Sequence, residues 1–355
     1  MIRFGKVCNG IVISIAGMCM IGCIFAHSGE SQPESNSSDQ FSAVSIVYHR
    51  FGDNRFPSTN TSVKDFEAHI KYLINQNFVF STASQVYKNC DRFPTRKQIV
   101  ITIDDGYQSF YSKGLAILNK MQVGATLFIN TESVGWKDYL TWEQIKEISQ
   151  QGIEIGHHSH AHTYFLNISE TERSQRFEED LLIAEALFET HLGFIPKVYS
   201  YPYGEFDYGM RNVLEKHGYK MAFAQNSGVW NEQSDPLAIP RFPMAGLFVE
   251  LKQFKSKVNM HPLKWPQAEQ LPLIVNGGEQ VSFKLQLDNP DLEPLNCFIA
   301  GESRSEVFTK HHEDILVAFR AAENRRRTLI TFTARDRQGK WCWGSRLVIN
   351  PLIEE

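Results

Sequence analysis

Two short runs bring together residue types that do chemistry in concert. Ile101-Thr102-Ile103-Asp104-Asp105-Gly106 is an apolar, β-branched strand that delivers adjacent carboxylates to its end, where a glycine turns the chain sharply. Gly156-His157-His158-Ser159-His160-Ala161-His162 follows a second short strand, Ile153 to Ile155, and crowds four imidazoles into one loop. Of these, His158 and His162 can converge with a carboxylate on one divalent cation. Two histidines and one aspartate leave coordination positions open to water, whose pKa then falls. The pattern is that of a hydrolytic site rather than a structural one.

Those runs must be positioned by an alternating fold. Strand-like segments at Val44 to Tyr48, Ile99 to Asp104, Ala125 to Ile129, Ile153 to Gly156 and Val198 to Ser200 alternate with helical stretches. The helices are expected at Val63 to Asn75, Thr141 to Gln151 and Glu170 to Leu192. Alternation of this kind predicts a parallel α/β sheet, and chemistry at strand C-termini suits a barrel or a related wound sheet. After Trp265 the pattern changes. Val281 to Leu287, Ile315 to Ala321, Thr328 to Ala334 and Arg346 to Asn350 are strand-like runs without long helices between them, which predicts a small β-sandwich.

A chain of 355 residues, 42% hydrophobic and 21% charged, has the composition of a folded globular protein and the length of two domains. A formal net charge of −4 and the lack of a long basic stripe argue against a nucleic-acid partner. Arg3 and Lys6 precede an apolar run from Gly10 to Ala26, the layout of a secretory signal. The run also sits at the lower limit for a membrane anchor, roughly 17 residues. Met20-Ile21-Gly22-Cys23 resembles a loose lipoprotein box in which Cys23 would be acylated. Export is therefore expected, to a periplasmic, extracellular or envelope-associated location, in a soluble, lipid-anchored or membrane-tethered form. Residues 27–42 read as an exposed linker, 43–265 as the α/β domain and 266–355 as the β domain. Of the cysteines outside the signal, Cys90, Cys297 and Cys342, the last two share the C-terminal region and either pair or stay as buried thiols.

The Thr-Ile-Asp-Asp-Gly and His-Ser-His-Ala-His runs resemble the first two motifs of the polysaccharide deacetylases, carbohydrate esterase family 4, over roughly Val44 to Ala245. The resemblance implies an irregular (β/α) barrel, with Asp104 as general base and Asp105, His158 and His162 as metal ligands. Zinc is the first choice for that set, which also accepts cobalt, nickel or iron. His157 and His160 fall off the ligand positions and are expected to orient a ligand or face water. The family's third motif, Arg-x-Pro-Tyr, corresponds to Ser200-Tyr201-Pro202-Tyr203-Gly204, which lacks the arginine that holds the base. Tyr203 still matches the tyrosine whose backbone N–H serves the oxyanion hole. Arg241, in Ile239-Pro240-Arg241-Phe242-Pro243, is the candidate replacement and is grouped with Tyr203 on the substrate and oxyanion side, against the alternative of an ordinary surface ion pair.

The late Leu-x-His motif, which supplies the general acid, is also absent. Ile46-Val47-Tyr48-His49 resembles instead the circularly shuffled branch, in which that histidine comes from the start of the chain. Poly-β-1,6-N-acetylglucosamine deacetylases of biofilm systems belong to that branch. His49 is accordingly the expected acid. Trp136, Trp142 and Trp230 are candidates to line a sugar groove, against a role in the core. Taken together, the resemblance implies metal-dependent N-deacetylation of an N-acetylated polysaccharide. The competing expectations are an O-acetyl, xylan-type esterase and a catalytically silent carbohydrate-binding protein on the same fold.

Overall fold

β-Branched and apolar runs, buried on both faces, build the central sheet in the computed structural model of this chain. The structure describes residues 41–89, 97–265, 272–287, 295–301, 308–311 and 314–354. The expectations for the signal segment, Cys23, the linker up to residue 40 and Cys90 lie outside them. Among the described residues no helix is long and apolar enough to cross a membrane.

Ser42–Tyr48, Gln98–Ile103, Ala125–Ile129, Ile153–His157, Val198–Ser200 and Met221–Phe223 lie side by side in that order, all parallel. Val79–Ser81 adds a parallel partner to Gln98–Ile103, and Val229–Asn231 lies antiparallel on Ser42–Tyr48. The chain from Ile239 to Met244 then joins the two ends. Ile239 bridges Phe223 at the last strand, while Phe242–Pro243 runs parallel to Ile46 and Val47 of the first. Ala224 N–H donates to Ile239 C=O at 2.9 Å and Met244 N–H to Val47 C=O at 3.0 Å. With both edges bonded to one segment, the sheet curls into an irregular barrel.

The helices bury one stripe each against this sheet. Val63–Asn75 does so through Phe66, His69, Ile70 and Leu73, with the spacing of a single helix face, and Ser62 caps its start by accepting from Asp65 N–H. Trp142–Ser149 is shorter than the expected Thr141 to Gln151 because Thr141 is the N-cap, in a capping box with Gln144, and Gln150 is the C-cap.

The C-terminal strands form two sheets. One contains His261–Pro262, Trp341–Ile349, Arg327–Arg335 and Asn296–Ile299, with Leu273–Ile274 also on Trp341–Ile349. The other contains Gln280–Gln286, Asp314–Arg320 and Phe308–His311. Val281, Leu285 and Val317 of the smaller sheet share one buried cluster with Ile330, Phe332 and Cys342 of the larger, as in a small sandwich. The larger sheet is also bonded to the barrel. Leu347 and Ile349 pack in a cluster with Tyr199, Tyr201 and Phe206, Trp343 Nε1 donates to Ser227 Oγ at 2.8 Å, and Asn226 Nδ2 to Ser345 C=O at 3.1 Å.

Cys297 and Cys342 are both free and buried. Cys297 sits opposite Phe332, and Cys342 opposite Ala334, on the two sides of the intervening Arg327–Arg335 strand. Two strand spacings, about 9.5 Å, exceed the reach of a disulfide.

Candidate active site

Parallel strands end at the same rim, and the chemistry collects there. Tyr48 is paired with Ile103, so His49 and Asp104 follow side by side at adjoining strand ends. Asp104 N–H donates to Tyr48 C=O at 2.9 Å. The turn after it is tight: Asp105 has φ 74° and Gly106 φ 73°, and a Cβ on Gly106 would lie 2.9 Å from Ile129 Cδ1. A non-glycine residue in the left-handed region is uncommon, and here it aims the Asp105 carboxylate at the histidine loop.

Asp105 Oδ1 lies 3.3 Å from His158 Nε2 and 3.4 Å from His162 Nε2, and the two imidazole nitrogens are 3.1 Å apart. A tetrahedral ion with bonds of 2.0–2.1 Å needs its ligands about 3.3 Å apart, so this triangle has the dimensions for one such ion. The tautomer agrees. His158 Nδ1 lies 2.7 Å from Ser200 C=O, which can only accept, so in the neutral imidazole Nδ1 carries the proton and Nε2 turns its lone pair toward the carboxylate. Acceptors that face one another call for a shared cation, and this is the only such cluster among the described residues. Burial and the neighbouring His158 push His162 down to about 4, leaving it neutral and able to serve as a ligand. Burial opposes ionisation of Asp105, but the hydrogen bond that His158 donates when Nε2 is also protonated, and the neighbouring His49 and His162 imidazoles, hold it well below the usual carboxylate range. Burial also works against a charged His158, yet Asp104, Asp105 and the Ser200 carbonyl lift it above its ordinary value.

Asp104 is fully buried and gripped from below. Arg241 Nη1 donates to its Oδ1 and Arg241 Nη2 to its Oδ2, both at 2.8 Å, the two-pronged geometry that a guanidinium supplies. Ser200 Oγ adds a bond to Oδ2 at 3.1 Å and also accepts from Arg241 Nη2 at 2.9 Å. Burial raises the Asp104 pKa, but the charges of Arg241 and His158 and the bonds from Arg241 outweigh it, so the group is held ionised. With about four lone-pair sites on a carboxylate, these contacts still leave room for one more donor.

Arg241 is therefore not on the substrate side with Tyr203, nor at the surface. It is fully buried on the segment that closes the barrel beside Ser42–Tyr48, and from there its guanidinium reaches Asp104 at the end of the adjoining strand. Ser200 stands where the third motif has arginine, and its small side chain leaves room for that guanidinium.

Tyr203 lies in the Pro202–Gly204 turn with φ 59° and ψ 3°. The turn's own bonding begins one residue later, with Gly204 N–H on Tyr201 C=O at 2.8 Å, so the Tyr203 N–H has no partner within the turn. Its ring packs edge-on to His162 at 4.5 Å and stacks on Tyr164 at 3.5 Å, with 7° between the planes. His49 is half-buried, and its charge acts on Asp104, Asp105 and His162.

The remaining candidates separate. His157 is buried beneath the loop, stacked on Tyr199, with Nδ1 accepting from Ser159 N–H at 3.0 Å. His160 Nδ1 meets Thr131 Oγ1 at 2.9 Å, outside the ligand triangle. Trp230 is core, its Nε1 donating to Ser45 Oγ at 3.0 Å, and Trp142 stacks on His191. Trp136 is 56% exposed and packs against Tyr139, which contacts Tyr107; the Asp105 charge acts on Tyr107.

Sequence reasoning missed three groups that shape the site. One is Ser200. Another is Asp180, whose carboxylate accepts from His160 N–H at 2.7 Å and Ala161 N–H at 2.9 Å and so pins the histidine loop. The third is the arginine pair Arg326 and Arg327. The serine had a signal, its position at the head of the third motif; the others are distant in sequence from the residues they hold.

Residues 91–222 match the family model described as polysaccharide deacetylase. The Bacillus subtilis protein YxkH is 28% identical over 198 residues, spanning 55% of this chain and 69% of its own. A Staphylococcus aureus poly-beta-1,6-N-acetyl-D-glucosamine N-deacetylase is 26% identical over 260 residues, spanning 65% of this chain and 88% of its own. Among solved structures, the Streptococcus pyogenes deacetylase PplD in complex with acetate superposes with a TM-score of 0.56 at 18% identity, over 62% of this chain and 99% of that one. At that identity the superposition speaks for the fold. Residues 91–222 are thus similar to the polysaccharide deacetylase family model, and the chain shares its fold with a solved deacetylase.

Proposed function

We propose that this protein is a metal-dependent hydrolase that removes acetyl groups from the nitrogen of an N-acetylglucosamine-containing polysaccharide. The observation that carries the proposal is the pairing of an ionised, Arg241-held Asp104 with the Asp105, His158 and His162 triangle, with His49 and the Tyr203 amide at the same rim. The S. aureus relative, a poly-beta-1,6-N-acetyl-D-glucosamine N-deacetylase, supports the choice of substrate class.

Asp105, His158 and His162 would hold a divalent ion, zinc by preference, which would supply polarisation of the acetamide carbonyl and acidification of water. Asp104 accepts a proton from the attacking water at its remaining lone pair, and Arg241 keeps the carboxylate aimed. The Tyr203 N–H donates to the carbonyl oxygen as negative charge develops there. His49 gives a proton to the departing nitrogen, the C–N bond breaks, and the products are acetate and a free amine. An amine needs that proton, whereas an alkoxide departs more readily, so a histidine at the rim favours the amide over the ester reading.

Export through the N-terminal segment belongs to the same proposal, with the polymer in the cell envelope or outside it and membrane attachment through the N-terminus compatible with the chemistry. The test is acetate release by zinc-loaded protein from β-1,6-linked and β-1,4-linked N-acetylglucosamine oligomers, peptidoglycan-derived oligomers and acetylated xylan. Release from an N-acetylated oligomer supports the proposal, and release from xylan alone replaces it with the esterase.

A further inference from the structure

The Tyr203 turn is held by residues that lie outside the barrel. Arg327, at the start of the Arg327–Arg335 strand of the β-sandwich, donates from Nη1 to Tyr203 C=O at 3.0 Å. Its neighbour Arg326 is buried and forks onto Glu205, Nε to Oε1 at 2.8 Å and Nη2 to Oε2 at 2.6 Å. The same guanidinium lies 4.3 Å from the centre of the Tyr164 ring, on which Tyr203 stacks. Arg326 is itself fixed from the C-terminal end, where Nη1 donates to Pro351 C=O at 3.2 Å and to Ile353 C=O at 2.8 Å. The turn is thus bonded at Tyr203 and at Glu205, and braced through Tyr164.

The turn needs such support. Tyr203 and Gly204 are consecutive residues in the left-handed region, at φ 59° and 71°, and only the second is a glycine. Holding a tyrosine there strains the backbone, and an unrestrained turn would relax. Relaxation rotates the peptide planes on either side of Tyr203, and the N–H that faces the carbonyl oxygen turns with them.

We propose that the C-terminal β-sandwich is part of the catalytic apparatus, with Arg327 and Arg326 as positioning residues that lock the Tyr203 amide in its oxyanion-binding orientation. The proposal rests on the deacetylase reading for its consequence in turnover, but the clamp itself is a structural claim that can be measured without substrate.

The test uses the full chain with Arg327→Met, and Arg327→Lys as the conservative variant, because Arg327 is half-buried and its loss spares the buried Arg326–Glu205 pair. Two readouts run in parallel. Hydrogen exchange of peptides covering residues 198–207 should quicken in Arg327→Met while the other barrel strands keep their protection. The kcat for an N-acetylglucosamine oligomer should fall about 10-fold, less than the 100-fold or more expected for loss of an oxyanion donor outright, with KM within about twofold and metal content unchanged. Arg327→Lys should recover most of both, since one N–H suffices for the carbonyl. Unchanged exchange across 198–207, or wild-type kcat in Arg327→Met, overturns the proposal. So does a loss of protection spread evenly over the barrel, which would make Arg327 a general stabiliser. If the wild type releases no acetate, the deacetylase reading fails, while the exchange experiment still decides whether the clamp exists.

Discussion

Removing Arg241 should unmake the base without touching the metal ligands. Arg241→Met deletes five contacts: Nε to Ala224 C=O at 2.9 Å, Nη1 to Thr102 Oγ1 at 3.1 Å and to Asp104 Oδ1 at 2.8 Å, and Nη2 to Asp104 Oδ2 at 2.8 Å and to Ser200 Oγ at 2.9 Å. Asp104, with 0% of its side chain exposed, keeps only the Ser200 hydroxyl as a hydrogen-bond donor. Breaking a buried pair from one side costs about 3–5 kcal/mol, because the remaining charge has no water to return to. Asp104→Asn strands the guanidinium in the same way and should cost a similar amount. If the two groups act mainly on each other, the double variant strands neither, and its loss should not exceed that of either single variant, at most about 3–5 kcal/mol rather than the 6–10 kcal/mol of a simple sum. Urea unfolding of the metal-free proteins measures this cycle. Turnover should fall about 100-fold to 10,000-fold in Arg241→Met, the span of general-base catalysis, and Arg241→Lys should recover little because an ammonium cannot make the fork. Stability losses that add within about 0.5 kcal/mol would refute the reasoning, since independent sites add that closely.

His49→Ala should show a selective defect, with kcat/KM down about 100-fold on an N-acetylated oligomer and much less on an activated acetate ester, at matched metal occupancy. Equal losses on both substrates would assign His49 a positional role instead. Burial pushes the Cys297 and Cys342 thiols up to about 12, so thiolate is scarce at pH 8 and alkylation mapped by mass spectrometry should find both unmodified in folded protein and modified in urea. Recovery of a Cys297–Cys342 cross-linked peptide from native protein would contradict the strand register.

The parts of the site that were legible in the sequence are those carried by contiguous runs. Asp104 and Asp105 follow one strand and His158 another, with His162 four residues further along the same loop, so local pattern fixed both their element and their place near its end. Arg241 was visible as a residue but not as a geometry, because its reach to Asp104 depends on the Ile239 to Met244 segment bonding to both edges of the sheet. Arg326 and Arg327 had no local signal, since their partners Glu205 and Tyr203 lie in another layer. Among the elements, Val63–Asn75 and Glu170–Leu192 were readable from end to end because cap residues and turn-formers bracket them. Short pieces such as Leu115–Met121, Leu251–Val258 and Asn296–Ile299 were missed, being too brief for periodicity to separate from chance.

The most direct test of the central claim measures acetate release and bound metal together, for wild type, His158→Ala and Asp104→Asn, on a β-1,6-linked N-acetylglucosamine oligomer. The ligand triangle and the Arg241-held carboxylate predict that wild type binds one metal and releases acetate, that His158→Ala loses both, and that Asp104→Asn keeps the metal and loses the release. Undiminished acetate release by metal-loaded Asp104→Asn, or full metal occupancy in His158→Ala, would contradict it.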